Sequence, residues 1–205
     1  MNPINANQLA AFDARYRARL ESLLAVDEMV GRMVSALKAK GELGRTVFIF
    51  TADNGFFHGG HRVRNGRVGH YEESSGVPLI IRGPGIPEGK RRSQLAVNAD
   101  LAPTILDFAN AKPGRAMDGR TLVPLAKDKL LRPGRGILIE GFNNADANEV
   151  DTRCGAVRTD RRVYPETGAE RELCDLRADP TSCRAATTSR PSPGLRPRWT
   201  ACSRS

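Results

Sequence analysis

Apolar side chains recur every three or four residues at Phe12, Tyr16, Leu20, Leu23, Val26, Val30, Met33 and Leu37, with Arg, Glu, Asp and Lys between them. That spacing predicts one long helix with an apolar stripe, ending near Gly41 or Gly44, where glycine relieves the left-handed conformation common at helix ends. The period then changes. Thr46 to Thr51 reads TVFIFT, a β-branched and aromatic run without polar alternation, which predicts a strand covered on both faces. Val77 to Arg82, VPLIIR, predicts a second strand with Pro78 at its start or on an edge, and GPGIPEG after it a surface turn. Asp100 is placed to cap a short helix over LAPTILDFA with Pro103 in its first turn, and Thr121 to Ala126 predicts another turn of helix.

Beyond Pro133 the pattern is of short strands joined by tight loops, at Gly136 to Glu140, Gly155 to Arg158, Arg162 to Tyr164 and Arg171 to Leu176. An antiparallel meander is expected there, distinct from the first sheet. The chain thus reads as an α/β part over residues 1–132, a small C-terminal sheet over 133–180, and a tail over 181–205. The tail is rich in Ser, Thr, Arg and Pro and nearly free of large aliphatics, so it cannot bury enough surface to offset its ordering entropy, and disorder is expected.

Charge changes this picture little. The formal net charge is +9, but the last 25 residues hold five arginines and no acid, leaving 27 basic against 23 acidic residues elsewhere. That balance is ordinary for a soluble surface, and no interleaving of aromatic and basic residues argues for nucleic acid. The four cysteines, Cys154, Cys174, Cys183 and Cys202, have no C-x-x-C spacing and suggest neither zinc nor a disulfide framework. No segment has the apolar length to span a bilayer, and the N-terminus has no signal-peptide run, so the chain as written is expected to be cytoplasmic and without a membrane role.

Candidate chemistry is concentrated just after the first strand, where VFIFTADNGFFHGGHRVRNGRVGHYEES passes from an oily run into acid, amide, histidines and glycines. In open parallel sheets ligands bind outside the carboxyl ends of strands, where Asp53 and Asn54 are expected to lie. A carboxylate beside an amide carbonyl offers hard oxygen ligands, suited to calcium or magnesium, although Asp-Asn-Gly is equally an everyday turn. His58, His61 and His70 titrate near neutrality but have no known ligand spacing; His58 and His61, nearest the oxygen pair, are candidates to line a substrate pocket. Tyr71, Glu72 and Glu73 are read as structural.

A run of features in fixed order resembles the sulfatase family, the sulfuric ester hydrolases of the alkaline phosphatase superfamily: VDEMVGRMVSALKAKGELGRTVFIFTADNG, the glycine and histidine loop, YEESSGVPLIIRGPGIP, NADLAPTILDFANA, MDGRTLVPL and AVRTDRRVYPETGAERELCDLRADP. Together these cover the chain from about residue 20 to residue 180. The resemblance implies part of an alkaline-phosphatase-like α/β sheet with flanking helices, followed by a small antiparallel C-terminal sheet. It implies a Ca2+ ion held by four oxygen-bearing side chains, with Asp53 and Asn54 matching the later pair, and a sulfate-ester substrate. In the family a lysine four residues before the Tyr-Glu-Glu-Ser motif contacts the sulfate; here Arg67 stands there, keeping the charge but not the readily lost proton.

The nucleophile of the family, a formylglycine made within Cys/Ser-x-Pro-x-Arg, has no match. Cys154 has Arg158 but no proline, and Ser189-Arg190-Pro191 is followed by Pro193 where arginine belongs. The early Asp-Asp pair is absent too. The resemblance is therefore to the C-terminal portion of a sulfatase, inactive alone, with the missing N-terminal half as a partner. Two alternatives stand beside it: a phosphate mono- or diester hydrolase of the same superfamily, and a noncatalytic module holding sulfated glycans through Arg62, Arg64 and Arg67.

Overall fold

The apolar stripe forms a helix, α1, which begins before the stripe does and spans Ala6–Ala39. In this computed structural model the described residues are 4–60, 66, 71–128, 130–131, 135–146, 149–158, 162–167, 170–171 and 174–175. The early start has a local cause. Asn5 Oδ1 accepts from the Gln8 amide at 2.9 Å while Gln8 Oε1 accepts from the Asn5 amide at 3.1 Å, a capping box that satisfies two donors at the helix end. At the far end Gly41 takes φ 70°, its N–H bonds Lys38 O, and Glu42 N–H bonds Leu37 O, so Gly41 rather than Gly44 stops the helix.

The chain divides into two compact units, Met1–Gly66 with Val77–Pro133, and Arg67–Gly76 with Gly134–Ser205. In the first unit α1 is followed by a single 3-10 turn at Leu43–Arg45 and by strand β1, Phe48–Thr51. Strand β2, Leu79–Arg82, pairs with β1 antiparallel, Phe50 opposite Ile80 and Thr51 opposite Leu79. The expected covering of β1 on both faces is not met. Phe50 is 41% and Ile80 59% exposed, and these cross-strand neighbours share one face of the ribbon; no described layer packs over them. The continuous apolar run is thus a correct sign of a strand built for burial, although within this chain one face stays open.

Burial elsewhere in the unit is sparse. Of the α1 stripe only Phe12 is buried; Tyr16, Leu20, Leu23 and Met33 are exposed. Phe12 closes on the loop after β1, where a Cβ at Gly59 would stand 3.1 Å from both its ring and Ile4, and Gly59 takes φ 90°. Phe57, in the same loop, is 1% exposed. This small cluster fixes α1 to the candidate loop.

A second anchor is polar. After β2 the chain makes the turn anticipated at Gly83 to Gly89 and reaches α3, Leu101–Phe108, with Pro103 in its first turn. Asp100 does not cap α3 as its position suggested. Its carboxylate, fully buried, accepts from the Val97 amide at 2.9 Å through one oxygen and from the Arg120 amide at 2.9 Å through the other. Thr104, also fully buried, donates to Asp100 O at 2.6 Å and accepts from the Leu122 amide at 2.9 Å. Charged acceptors in such sites bind more strongly than neutral ones, which is why the carboxylate is drawn inward to two backbone donors rather than to the helix end. Gly119 passes so close to Ala99 O that a Cβ there would lie 1.9 Å away. A short helix, α4, Val123–Lys127, follows, and Arg92 donates to its terminal carbonyls at Leu125 and Ala126.

In the second unit a four-residue helix, α2, spans Glu72–Ser75, with Ser74 buried. Its sheet contains β3, Ile137–Asp146, β4, Glu149–Arg158, β5, Arg162–Thr167, β6, Glu170–Arg171, and β7, Cys174–Asp175. The order is β3-β4-β5-β6 with β7 also on β5, and every pairing is antiparallel, the meander read from the sequence with longer first strands. The tail over 181–205 lies outside the described residues.

Replacing Asp100 by Ala leaves two part-buried donors without their acceptor and is expected to cost about 2–4 kcal/mol; Thr104→Val, which removes the linked hydroxyl, about 1–3 kcal/mol. Denaturant midpoints of the single and double variants check this. The double loss should fall short of the sum, because both belong to one network.

Candidate functional site

Two residues past the end of β1 the backbone leaves the ribbon at Asp53, Asn54 and Gly55. Asp53 Oδ1 accepts from the Asn54 amide at 2.9 Å, a local turn that holds the carboxylate against its own loop. The Asn54 side-chain NH2 donates to Gly55 O at 2.8 Å. With its nitrogen bonded to Gly55 O, the Asn54 carbonyl oxygen, like Asp53 Oδ2, has no hydrogen-bond partner among the described residues. Asn98 braces the turn from outside the strand, donating to Asp53 O at 3.4 Å. Asn98 sits on the 3-10 turn Asn98–Asp100, so the oxygen pair hangs from the segment that the buried Asp100 carboxylate fixes.

His58 lies farther along this loop and faces α1. Its ring meets Tyr16 edge to face at a centroid distance of 5.6 Å and Phe56 at 5.1 Å. Its Nε2 is 3.5 Å from Arg19 Nη1, while its buried Nδ1 has no hydrogen-bond partner among the described residues. Desolvation lowers its pKa, helped by the positive charges of Arg19 and Arg15. The ring is therefore neutral near pH 7, a state in which one ring nitrogen can accept.

Of the sequence candidates, Asp53, Asn54 and His58 share one loop of the first unit. Arg67, His61 and His70, with Arg62 and Arg64, lie outside the described residues. Among the described residues no cluster of three or more His, Cys, Asp or Glu side chains forms a metal cage, and no helix is long and apolar enough to cross a membrane. The periodicity gave no hint of Arg19, Phe56 or Asn98. The one available signal for Arg19 is its spacing from Arg15, two like charges four residues apart on a helix.

Comparison with solved structures places the fold among the alkaline-phosphatase-like hydrolases. An enzyme solved in complex with its substrate D-glucosamine-2-N,6-O-disulfate superposes with a TM-score of 0.68 at 32% identity, over 78% of this chain and 33% of that one. A phosphonate monoester hydrolase from Silicibacter pomeroyi gives 0.61 at 25% identity, over 75% and 33%. Within that class the sequence is decisive, since residues 3–111 match the family described as Sulfatase and residues 59–192 that described as N-sulphoglucosamine sulphohydrolase, C-terminal. The chain belongs to the sulfatase family. It is 32% identical over 153 residues to N-acetylglucosamine-6-sulfatase of Bos taurus, covering 74% of this chain and 27% of the relative, and 40% identical over 171 residues to N-acetylglucosamine-6-O-sulfatase of Bacteroides thetaiotaomicron, covering 80% and 30%. It thus spans less than a third of the length of these relatives.

For His58 the sign of the pH effect follows from the lowered pKa. The unfolded ring protonates first as pH falls below its usual value of about 6.5, so its contribution to stability is present above that value and is lost on acidification through the folded pKa. NMR titration of the ring should give a pKa below 6.5; a value at or above it would contradict the packing described.

Proposed function

We propose that this chain is a portion of a sulfatase that hydrolyses sulfate esters of amino sugars by a Ca2+-assisted formylglycine mechanism, and that it supplies half of the metal site but not the nucleophile. The observation that carries this reading is the pair of oxygens, Asp53 Oδ2 and Asn54 Oδ1, just beyond the end of β1 and without a hydrogen-bond partner among the described residues. Both are hard donors of the kind calcium prefers, and two of them fall well short of the six to eight oxygens the ion takes, so further ligands must come from elsewhere. When bound, the ion supplies fixed positive charge against the oxygens of a sulfate group. Asp53 and Asn54 would hold it, with His58, His61 and Arg67 as substrate contacts on sequence grounds.

The uncovered apolar surface supports the partial-chain reading. Phe50 and Ile80 on the ribbon, and Leu20, Leu23 and Met33 on α1, are exposed in a chain that spans less than a third of its relatives. A remaining polypeptide carrying the early Asp-Asp pair and Cys/Ser-x-Pro-x-Arg is the partner that these faces and the incomplete ligand set call for. A phosphate or phosphonate ester substrate is the second reading, favoured by the resemblance to the phosphonate monoester hydrolase. Asn54 beside Asp53 weighs against it, because phosphate-cleaving members of the superfamily add histidine and aspartate ligands for two transition metals.

Calcium titration of the purified chain tests the site. Weak binding, reversed by chelator and lost in Asp53→Ala, is expected; an unchanged response in that variant overturns the assignment. The chain alone should not turn over an aryl sulfate, whereas co-expression with a sulfatase segment bearing the nucleophile motif should restore turnover. Activity of the pure single chain would refute the partial-chain reading.

A further inference from the structure

Arg15 and Arg19 stand four residues apart on α1, one turn above the other, with no acidic partner among the described residues. Like charges at this spacing repel by a few tenths of a kcal/mol, so the helix carries this pair at a cost. Arg19 is not a free-swinging surface arginine. Its guanidinium lies 3.6 Å from the centroid of the Phe56 ring, and Nη1 is 3.5 Å from His58 Nε2. Stacking on an aromatic ring holds the plane of the fork. Tyr16, between the two arginines, packs edge to face on the same histidine. The result is an exposed helix face on which the Arg19 guanidinium is held against Phe56 and His58, with Arg15 one turn away and its charge felt at the same imidazole, four residues along the loop from Asn54.

We propose that Arg15 and Arg19, the latter ordered by His58 and Phe56, form a binding site for a tetrahedral oxyanion, separate from the Asp53–Asn54 oxygen pair, and that it holds an anionic substituent of the sulfated substrate other than the ester that is cleaved. Guanidinium forks match the oxygens of sulfate in a bidentate manner, and a bound anion relieves the repulsion between the arginines. Aromatic preorganisation of Arg19 reduces the ordering cost of binding. The role of the anion rests on the sulfatase reading, but the site does not: its residues and contacts are independent of any metal.

The test uses the full chain and follows the His58 ring resonances, assigned with His58→Gln, during titration with sodium sulfate and with D-glucosamine-2-N,6-O-disulfate, each in chelator. Saturable shifts are expected with the sugar, and Arg19→Gln should weaken them by roughly tenfold, the loss of one charge-assisted contact. Arg15→Gln, which leaves the Phe56 stack intact, should weaken them in the same direction and keeps the test decisive if the Arg19 variant loses its helical circular dichroism. Equal affinity for inorganic sulfate supports an oxyanion site that does not distinguish free anion from glycan; preference for the sugar supports the substrate subsite. Because Asp53→Ala should leave the shifts unchanged, failure of the metal reading and failure of this one are separable. No saturable shift with either probe, shifts indifferent to both arginine variants, or shifts abolished by Asp53→Ala would each overturn the proposal.

Discussion

A buried carboxylate organises the better part of the first unit. Asp100 is fully buried, and backbone amides at Val97 and Arg120 donate to its carboxylate, which offsets the cost of taking it out of water. The constraint works in both directions: the amides fix the carboxylate, and the carboxylate fixes two segments distant in sequence. Thr104 repeats the connection one helical turn later by bridging Asp100 O and the Leu122 amide. Asn98, on the turn held by Asp100, then reaches the backbone of Asp53. The oxygen pair is therefore positioned by a relay of hydrogen bonds more than by the strand that precedes it.

Against this stands how little apolar surface is closed. A small cluster around Phe12 and Phe57, and Leu122 beside the Asp100 network, are the buried apolar side chains among the described residues. Hydrophobic burial is the main favourable term in folding, so polar clasps cannot by themselves stabilise a unit of this size. Long apolar stripes left open on α1 and on the ribbon are the signature of elements designed to sit between layers. The chain aligns with less than a third of the length of its sulfatase relatives, so the layer that would cover these faces is a part of the family fold that the match does not include.

Sequence reading found what is periodic and missed what is relational. The α1 stripe, both strands of the ribbon, the glycine turn and the meander were legible because each repeats a residue-level rule over several positions. The start of α1 was not, since Asn5 and Gln8 precede any apolar repeat and their reciprocal bonds appear only once the helix exists. Asp100 was recognised as special but given the wrong partners, because the position before a helix offers its own amides and nothing local announces Arg120. In the candidate loop, Asp53 and Asn54 could be picked out by residue type and by their place just after a strand, which is where they lie. Arg19 could not, as its meaning comes from a ring far along the chain that folds back beneath it.

The separation of 20 residues between Asp100 and Arg120 also has a direction in time. During synthesis the carboxylate emerges well before the glycine and amide that complete its cage, and Gly119 must then slide against Ala99 with room for a hydrogen and nothing larger. Until residue 120 is in place, the Asp100 carboxylate at the start of α3 lacks one of its backbone donors, and burying it is costly. The seating of residues 97–104 is thereby coupled to that of residues 119–122, so neither segment reaches its native place without the other.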